Sequence, residues 1–424
     1  MSSGPLAGIR VVDQTSVVVG PICTRTLADQ GADVIKIEPP GGDLLRTLAQ
    51  GARHEGMSAK FLNFNRNKRS VCLDLKRPEA MAALHRLIAD ADVFVSNVRP
   101  KALQRARLDF ANLAEENSRL IHCSILAFGR GGRYFDRPAY DPIIQSLSGV
   151  AGTFERAIGE PRFVPMVMTD HITGLIAAQA IGFALYRREK TGRGEAIDVP
   201  MLENMASFVT SEHMAAATFE PPLGPSGDNR LLSPDYRPLP TKDGYITVGP
   251  NTNAQAFAFF DAIGRPELKG DPRFDSASAR TTNAAAYFEL RAAGLVQRTT
   301  AEWLEILEAL EVPAARYNSI DDLFCDPHLA DIGFFEREEH PSEGLIRRTK
   351  VANTFHGGMR EDRLPAPRLG EHTRAVLEGI GYSAAQIDDM IASGAATAEQ
   401  GLWAAGLTAA DAGKAGNDVE EKHQ

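Results

Sequence analysis

Only four cysteines, Cys23, Cys72, Cys123 and Cys325, occur in 424 residues. They stand far apart, with no CxxC and no Cys/His pairing, so the sequence offers neither a disulfide framework nor a zinc site. Positive charge is in deficit: Lys plus Arg number 46 against 55 Asp plus Glu, a formal net charge of −9. That balance speaks against a protein built to coat nucleic acid, which needs clustered cations for the phosphates. Long apolar runs are missing too. The best, Gly174–Tyr186, is shorter than the ~20 residues a bilayer requires, so no membrane partner is expected. Residues 1–10 lack the positive region and apolar core of a secretory signal, and a cytoplasmic protein is the expectation. Glycine-rich phosphate loops are also absent. The loop after the first strand reads SVVVGP, with the single glycine Gly20, which excludes dinucleotide binding of the usual kind; no P-loop, HExxH or GxSxG is present.

What is present is alternation. Ile9–Asp13, Asp33–Glu38, Ser70–Leu75, Asp92–Val98, Arg119–Phe128 and Ala196–Pro200 read as strands, with helices at Ile22–Gln30 and Arg77–Ala91 between them. Pro21 and Pro78 suit first helical turns, and Gly31 suits the position past a helix end. Strands separated by helices imply βαβ units and an α/β fold with a mostly parallel, doubly wound sheet. Ligands of such sheets sit beyond the carboxyl ends of the strands, here near Val17, Leu75 and Asn97. A longer helix is predicted over about 170–190, its apolar side formed by Ile172, Leu175, Ile176, Phe183 and Tyr186. Residues 220–240 carry six prolines and two glycines and read as a linker or ordered arm. A strand at Tyr245–Gly249 and helices near 254–263, 283–298 and 300–310 then outline a smaller α+β domain. Short helices close the sequence at 373–380 and 384–391, and Ser393–Gln424, rich in Ala and Gly, is expected to be loosely held.

Carboxylates and basic loops are the remaining candidates for chemistry. Asp170 in MTDHITG directly precedes a periodic apolar helix. Aspartate is a good N-cap, and a helix amino terminus also keeps a carboxylate ionised, as a nucleophile requires. Both readings stand, and His171 beside it reads as an ordinary helix residue. The run NRNKRS (65–70) is by default a solvated turn. With Lys76, Arg99 and Arg105 at neighbouring strand ends it could instead surround a polyanion.

The runs GIRVVDQTSVVVGPICTRTLADQGADVIKIEPPGGD, NRNKRSVCLDLKRPE, DVFVSNVRPKAL, AYDPIIQSLSGVAG, TDHITG with RREKTGRGEAIDVPMLENM, and RLGEHTRAVLEGIGYS resemble class III CoA-transferases of the formyl-CoA and carnitine CoA-transferase type. The resemblance covers roughly residues 5–390 and is weakest at 205–240. It implies an enzyme that moves CoA from an acyl-CoA to a small carboxylic acid, with acyl-CoA as substrate and no permanently bound cofactor. It further implies a large Rossmann-like domain plus a smaller α+β domain in an interlocked homodimer. On this sequence the large domain's first part would be 1–205, followed by a linker at 206–227 and the small domain at 228–328. The return linker and last part of the large domain would be 329–392, and the tail 393–424.

Residue by residue, the resemblance puts the nucleophile on Asp170 and a second acidic active-site residue on Asp141. CoA contacts fall on Val17, Val18, Val19, Leu73, Lys76, Asn97, Val98, Arg99, Arg105 and Met201. Lys76 and Arg105 would meet phosphates. Departures from formyl-CoA transferase occur at Val18, where that enzyme has glutamine, and at Pro39 and Pro138, where it has basic residues. Its glycine-rich flap has no counterpart in 220–240. These changes argue against formate or oxalate, and the apolar edge Met201, Phe208 and Met214, with His213, suits a larger acyl group. The related α-methylacyl-CoA racemases, the alternative reading, need a histidine where Tyr140 stands; tyrosine, with an ordinary pKa of ~10, is a poor base near pH 7.

Overall fold

The structure, a computed structural model, describes residues 4–48, 51–359 and 363–398. Its contacts form two compact units. Among the described residues the first comprises those within 4–136, 170–200 and 337–398, the second Arg137–Thr169 and Met201–Glu336.

The first unit is built on strands β1 (Arg10–Gln14), β2 (Asp33–Glu38), β3 (Lys68–Leu73), β4 (Val93–Ser96), β5 (Ile121–Leu126) and β6 (Glu195–Pro200), all parallel in the order 3-2-1-4-5-6. Alternating side chains serve two apolar layers. Val11, Val34 and Val93 pack with Leu27 of the helix Val19–Asp29 and Ile181 of the long helix Met168–Thr191. Val12, Ile35 and Phe94 pack on the opposite face with Leu84 and Leu87 of Pro78–Ala89 and with Val376 and Ile387 of the two late helices. The sheet is therefore doubly wound, and the expected α/β class stands. Among the described residues no helix is long and apolar enough to cross a membrane.

The smaller unit holds the antiparallel sheet β7 (Leu239–Pro240), β8 (Tyr245–Val248) and β9 (Ala314–Arg316). Its core gathers Ile246, Phe259, Phe260 and the fully buried Trp303, whose indole N–H donates to the Leu295 carbonyl at 2.7 Å. Capping boxes at Thr252/Gln255 and Thr299/Glu302 start two of its helices. A two-stranded ribbon, β10 (Phe335–His340) and β11 (Gly344–Thr349), follows.

Four expectations need correction. Residues 137–169 leave the large domain and join the second unit: the helix Asp141–Leu147 packs with both Val150–Ile158 and Met201–His213, and Gly149 sits against Val209. That last helix also absorbs the first residues of the expected linker at 206–227. The tail is ordered at its start: β12 (Ala396–Thr397) pairs antiparallel with β3, and Thr373 Oγ1 donates to the Thr397 carbonyl at 2.8 Å while accepting from Cys72 N–H at 3.0 Å. Residues 399–424 of that tail lie outside the described residues. Lastly, the apolar side predicted for the long helix is not its buried one. Small residues, Ala177, Ala178 and Ala184 with Ile181, face the core, whereas Leu175, Phe183 and Tyr186 are exposed.

Candidate active site

The strand order reverses between β1 and β4, which opens a crevice beyond their carboxyl ends. The loop after β1 lines it and is tightly held. Asn97, just past β4, accepts from Ser16 N–H at 3.2 Å and donates to the Ser16 carbonyl at 2.9 Å, closing the two strand ends together. Val17 has φ +67°, a left-handed conformation that a β-branched residue adopts only under constraint. The constraint is Asp43, whose Oδ1 accepts the Val17 N–H at 3.0 Å. Gly20 must be glycine, since a Cβ there would stand 2.2 Å from Thr15 Cβ.

Beneath this loop lies a charge network that sequence reading missed. Lys36 and Lys68 are fully buried. Lys36 Nζ reaches Asp43 Oδ2 and the Thr15 carbonyl, both at 2.8 Å. Lys68 Nζ reaches Asp13 Oδ2 at 3.1 Å and Asn65 Oδ1 at 2.9 Å. Asp13 in turn accepts from the hydroxyls of Thr15 (2.5 Å) and Thr24 (2.7 Å). Burial alone would raise the Asp13 carboxyl, but Lys68, Lys36 and the two hydroxyls outweigh it and hold it below its ordinary value. Burial likewise opposes the charge on Lys36, yet Asp13, Asp43 and Glu38 raise its pKa. On Lys68 burial wins over Asp13 and lowers the amine to about 8.

This network corrects the reading of residues 65–70 as a solvated turn or phosphate cradle. Arg66 pairs with Asp29 at 2.8 Å, Lys68 with Asp13 and Arg69 with Asp33 at 2.6 Å, so all three cations are already bound to carboxylates. Lys76, Arg99 and Arg105 are different: all three are exposed, with no carboxylate partner among the described residues, and Arg105 Nε donates only to the Lys101 carbonyl at 3.2 Å. Val17–Val19 and Asn97–Arg99 share the crevice. Leu73 is the last residue of β3 and Lys76 follows it at the same carboxyl end of the sheet, and Arg105 ends the helix Pro100–Arg105. The side chains of Val18, Val19 and Leu73 are buried in the core, which leaves their backbone as the part a ligand could meet. Val98 is half-buried against the core. Met201, buried, opens a helix of the second unit.

Asp170 is the third residue of the helix Met168–Thr191 and not its N-cap. It lies in the first turn, where free N–H groups and the helix dipole favour an ionised carboxylate, and is nine-tenths buried. One turn on, Gly174 brings this helix against the amino terminus of Val19–Asp29: a Cβ at Gly174 would stand 2.6 Å from the Val19 carbonyl oxygen and 2.9 Å from Ile22 Cβ. The helix bearing Asp170 is thus packed directly on the end of the crevice loop. His171 meets the ring of Phe64 edge-on, at 5.6 Å between centroids. In the second unit Asp141 is buried. Its Oδ1 accepts the N–H and hydroxyl of Thr169 at 2.7 and 2.6 Å, and its Oδ2 accepts from Gln145 Nε2 at 2.6 Å. Tyr140, ahead of that helix, is 67% exposed. The sequence signal available for Gly174 was a lone glycine inside a helical pattern; Thr169 and Gln145 gave none. Among the described residues no group of His, Cys, Asp and Glu is placed to hold a metal ion.

Residues 6–373 match the model of CoA-transferase family III. The chain is 31% identical to succinyl-CoA:glutarate CoA-transferase of Mus musculus over 93% of its length and 90% of that protein. It is 33% identical to the succinyl-CoA–L-malate CoA-transferase beta subunit of Chloroflexus aurantiacus over 91% of its length and 96% of that subunit. Among solved structures, a CAIB/BAIF family protein from Brucella suis superposes with a TM-score of 0.75 at 30% identity, covering 89% of this chain and 100% of that one.

Proposed function

The chain belongs to CoA-transferase family III and is a CoA-transferase, and from that premise we propose that Asp170 carries CoA covalently from succinyl-CoA to a short dicarboxylic acid. Succinyl-CoA and acids such as glutarate and malate appear in the names of the relatives. In the first step an Asp170 oxygen attacks the thioester carbonyl, the C–S bond breaks, and a mixed anhydride and CoA thiolate result. The thiolate attacks the Asp170 carbonyl carbon, which releases the donor acid as its carboxylate and leaves an aspartyl–CoA thioester. The acceptor carboxylate then attacks that thioester and displaces the thiolate. The thiolate finally takes the acceptor's acyl carbon, regenerating the Asp170 carboxylate. No proton changes hands in the cycle, so the carboxylate must be ionised and no general acid is needed.

The observation that carries this reading is the setting of Asp170: a carboxylate in the first turn of a helix that Gly174 seats on the crevice loop. Lys76, Arg99 and Arg105, exposed and without carboxylate partners among the described residues, suit the phosphates of CoA, and the backbone of Val17–Val19 and Asn97 suits its neutral parts. Asp141, engaged by Thr169 and Gln145, serves as a positioning residue for the segment that leads into Asp170. Leu175, Phe183 and Tyr186 form an exposed apolar stripe on the long helix, which supports burial in a homodimer of the interlocked kind. Sedimentation as a stable monomer at micromolar concentration would overturn the dimer.

The chemistry is tested by incubating the protein with succinyl-CoA and glutarate, malate or mesaconate and following CoA esters by mass. Quenching with hydroxylamine should convert Asp170 to its hydroxamate in the wild type, and Asp170→Asn should show neither transfer nor adduct. An unmodified Asp170 peptide with wild-type turnover in the variant would sink the covalent relay. Deuterium exchange at the α-carbon of an acyl-CoA without any acceptor acid would point to the racemase chemistry instead.

A further inference from the structure

The smaller unit holds a half-open cleft of about 620 Å³, and none of the residues assigned to CoA transfer lines it. Its walls carry four arginines, Arg230, Arg237, Arg280 and Arg291, and no aspartate or glutamate. Two of them are buried: Arg280 is 4% exposed and Arg291 8%. Arg280 donates to the Phe274 carbonyl at 2.9 Å, the Asn251 carbonyl at 3.4 Å and Asn253 Oδ1 at 2.9 Å. Arg291 donates to the Val248 carbonyl, while its Nε is buried with no hydrogen-bond partner among the described residues. Among the described residues neither meets a carboxylate, nor does Arg230; Arg237 pairs with Asp235 at 3.7 Å.

A buried guanidinium without a counter-charge is a costly arrangement, and burial draws the Arg291 pKa downward. Cation–π contact relieves part of the cost, since the rings of Tyr287 and Phe288 lie 5.4 and 5.3 Å from the Arg291 Cζ. It leaves Arg230 and Arg237 unaccounted for and does not fill the space. Four cations around one void call for an anion from outside the chain. The aromatic wall, completed by Tyr236, calls for a flat body. Volume selects further, because pockets of roughly 300–1,000 Å³ suit ligands well above the size of a short dicarboxylate.

We propose that the smaller unit binds a phosphorylated aromatic ligand of the nucleotide class, its phosphate held by the arginines and its base laid on the aromatic wall. None of the residues assigned to CoA transfer takes part, so the proposal stands or falls without the transfer chemistry. The test is calorimetric titration of the full-length protein with AMP, and in parallel with glutarate. Replacing Arg230 and Arg237 together with alanine should weaken AMP binding about tenfold or more, as should Arg291→Met, whereas Lys76→Ala should leave this binding unchanged. Circular dichroism matching the wild type keeps the double variant interpretable. AMP binding that survives the arginine changes but is lost in Lys76→Ala would overturn the proposal. So would the absence of AMP binding up to about 1 mM, or glutarate binding that answers to these arginines in place of AMP.

Discussion

A single oxygen of Asp141 accepts both the backbone N–H and the side-chain hydroxyl of Thr169, at 2.7 and 2.6 Å. The next residue in the sequence is Asp170, so the peptide leading into the proposed nucleophile is anchored twice by one buried carboxylate. Asp141→Ala should lower kcat about a hundredfold with little change in the KM for acyl-CoA. Thr169→Val, which keeps the N–H bond, should cost about tenfold, and Thr169→Ser should restore the wild-type rate. Steady-state kinetics with both substrates checks this; equal losses in Thr169→Ser and Thr169→Val would remove the hydroxyl from the account.

Two glycines of the long helix give opposite expectations. A Cβ at Gly174 meets the Val19 carbonyl oxygen at 2.6 Å, whereas nothing stands within 4 Å of one at Gly182. Gly174→Ala should destabilise by about 1–3 kcal/mol and impair transfer, because the crevice loop and the nucleophile's helix are forced apart. Gly182→Ala should instead stabilise by about 0.5–1 kcal/mol through helix propensity alone, with activity intact. Denaturant midpoints of the two variants decide it.

The exposed cations should act on binding. Lys76→Ala and Arg105→Ala are expected to raise the KM for acyl-CoA about three- to tenfold while kcat stays within about twofold. The effect should shrink as salt is added, since these contacts are open to solvent. Unchanged KM values in both variants would return the two residues to the ordinary surface.

Burial of the Lys68 amine predicts a pH signature. Its pKa is lowered to about 8, while an unfolded lysine keeps the ordinary 10.5. Between those values the unfolded chain binds a proton the native chain has released, so stability rises with pH as the burial penalty disappears. Cys23, Cys72 and Cys123 act in the other direction. Burial raises each thiol above the ordinary 9.0, and from there upward the unfolded chain sheds protons that the native chain retains. The urea midpoint, followed by circular dichroism, should therefore climb from about pH 7.5 to about 9 and then turn down. A midpoint falling steadily over that range would contradict the assignment.

Much of the large sheet was legible because its strands are short β-branched runs punctuated by glycine and proline. Asp33–Glu38, bounded by Gly31 and Pro39, needed no tertiary information. The basic run at 65–70 was misread because its partners are distant: Asp13, Asp29 and Asp33 come alongside only when β1, β2 and β3 take their parallel register. The long helix misled for another reason. Alanines can form a buried face when a sheet lies close, and periodicity alone does not tell which apolar side is covered. The nucleophile candidate and the crevice residues Val17 and Asn97 came from resemblance and strand ends. The supports beneath them, Asp43, Lys36 and Gly174, exist only as spatial neighbours.

Strand β12 has a bearing on how the protein is made. It covers the free edge of β3 at Cys72 and Leu73, yet about 320 residues separate the two strands along the chain. At a synthesis rate of about 5–20 residues per second, the ribosome needs roughly 15–65 s to travel from one to the other. Through that interval β3 presents an open row of backbone donors and acceptors, the kind of template on which nascent chains join one another. The slow approach of its cover makes this edge the place where a chaperone would be of most use to the emerging chain.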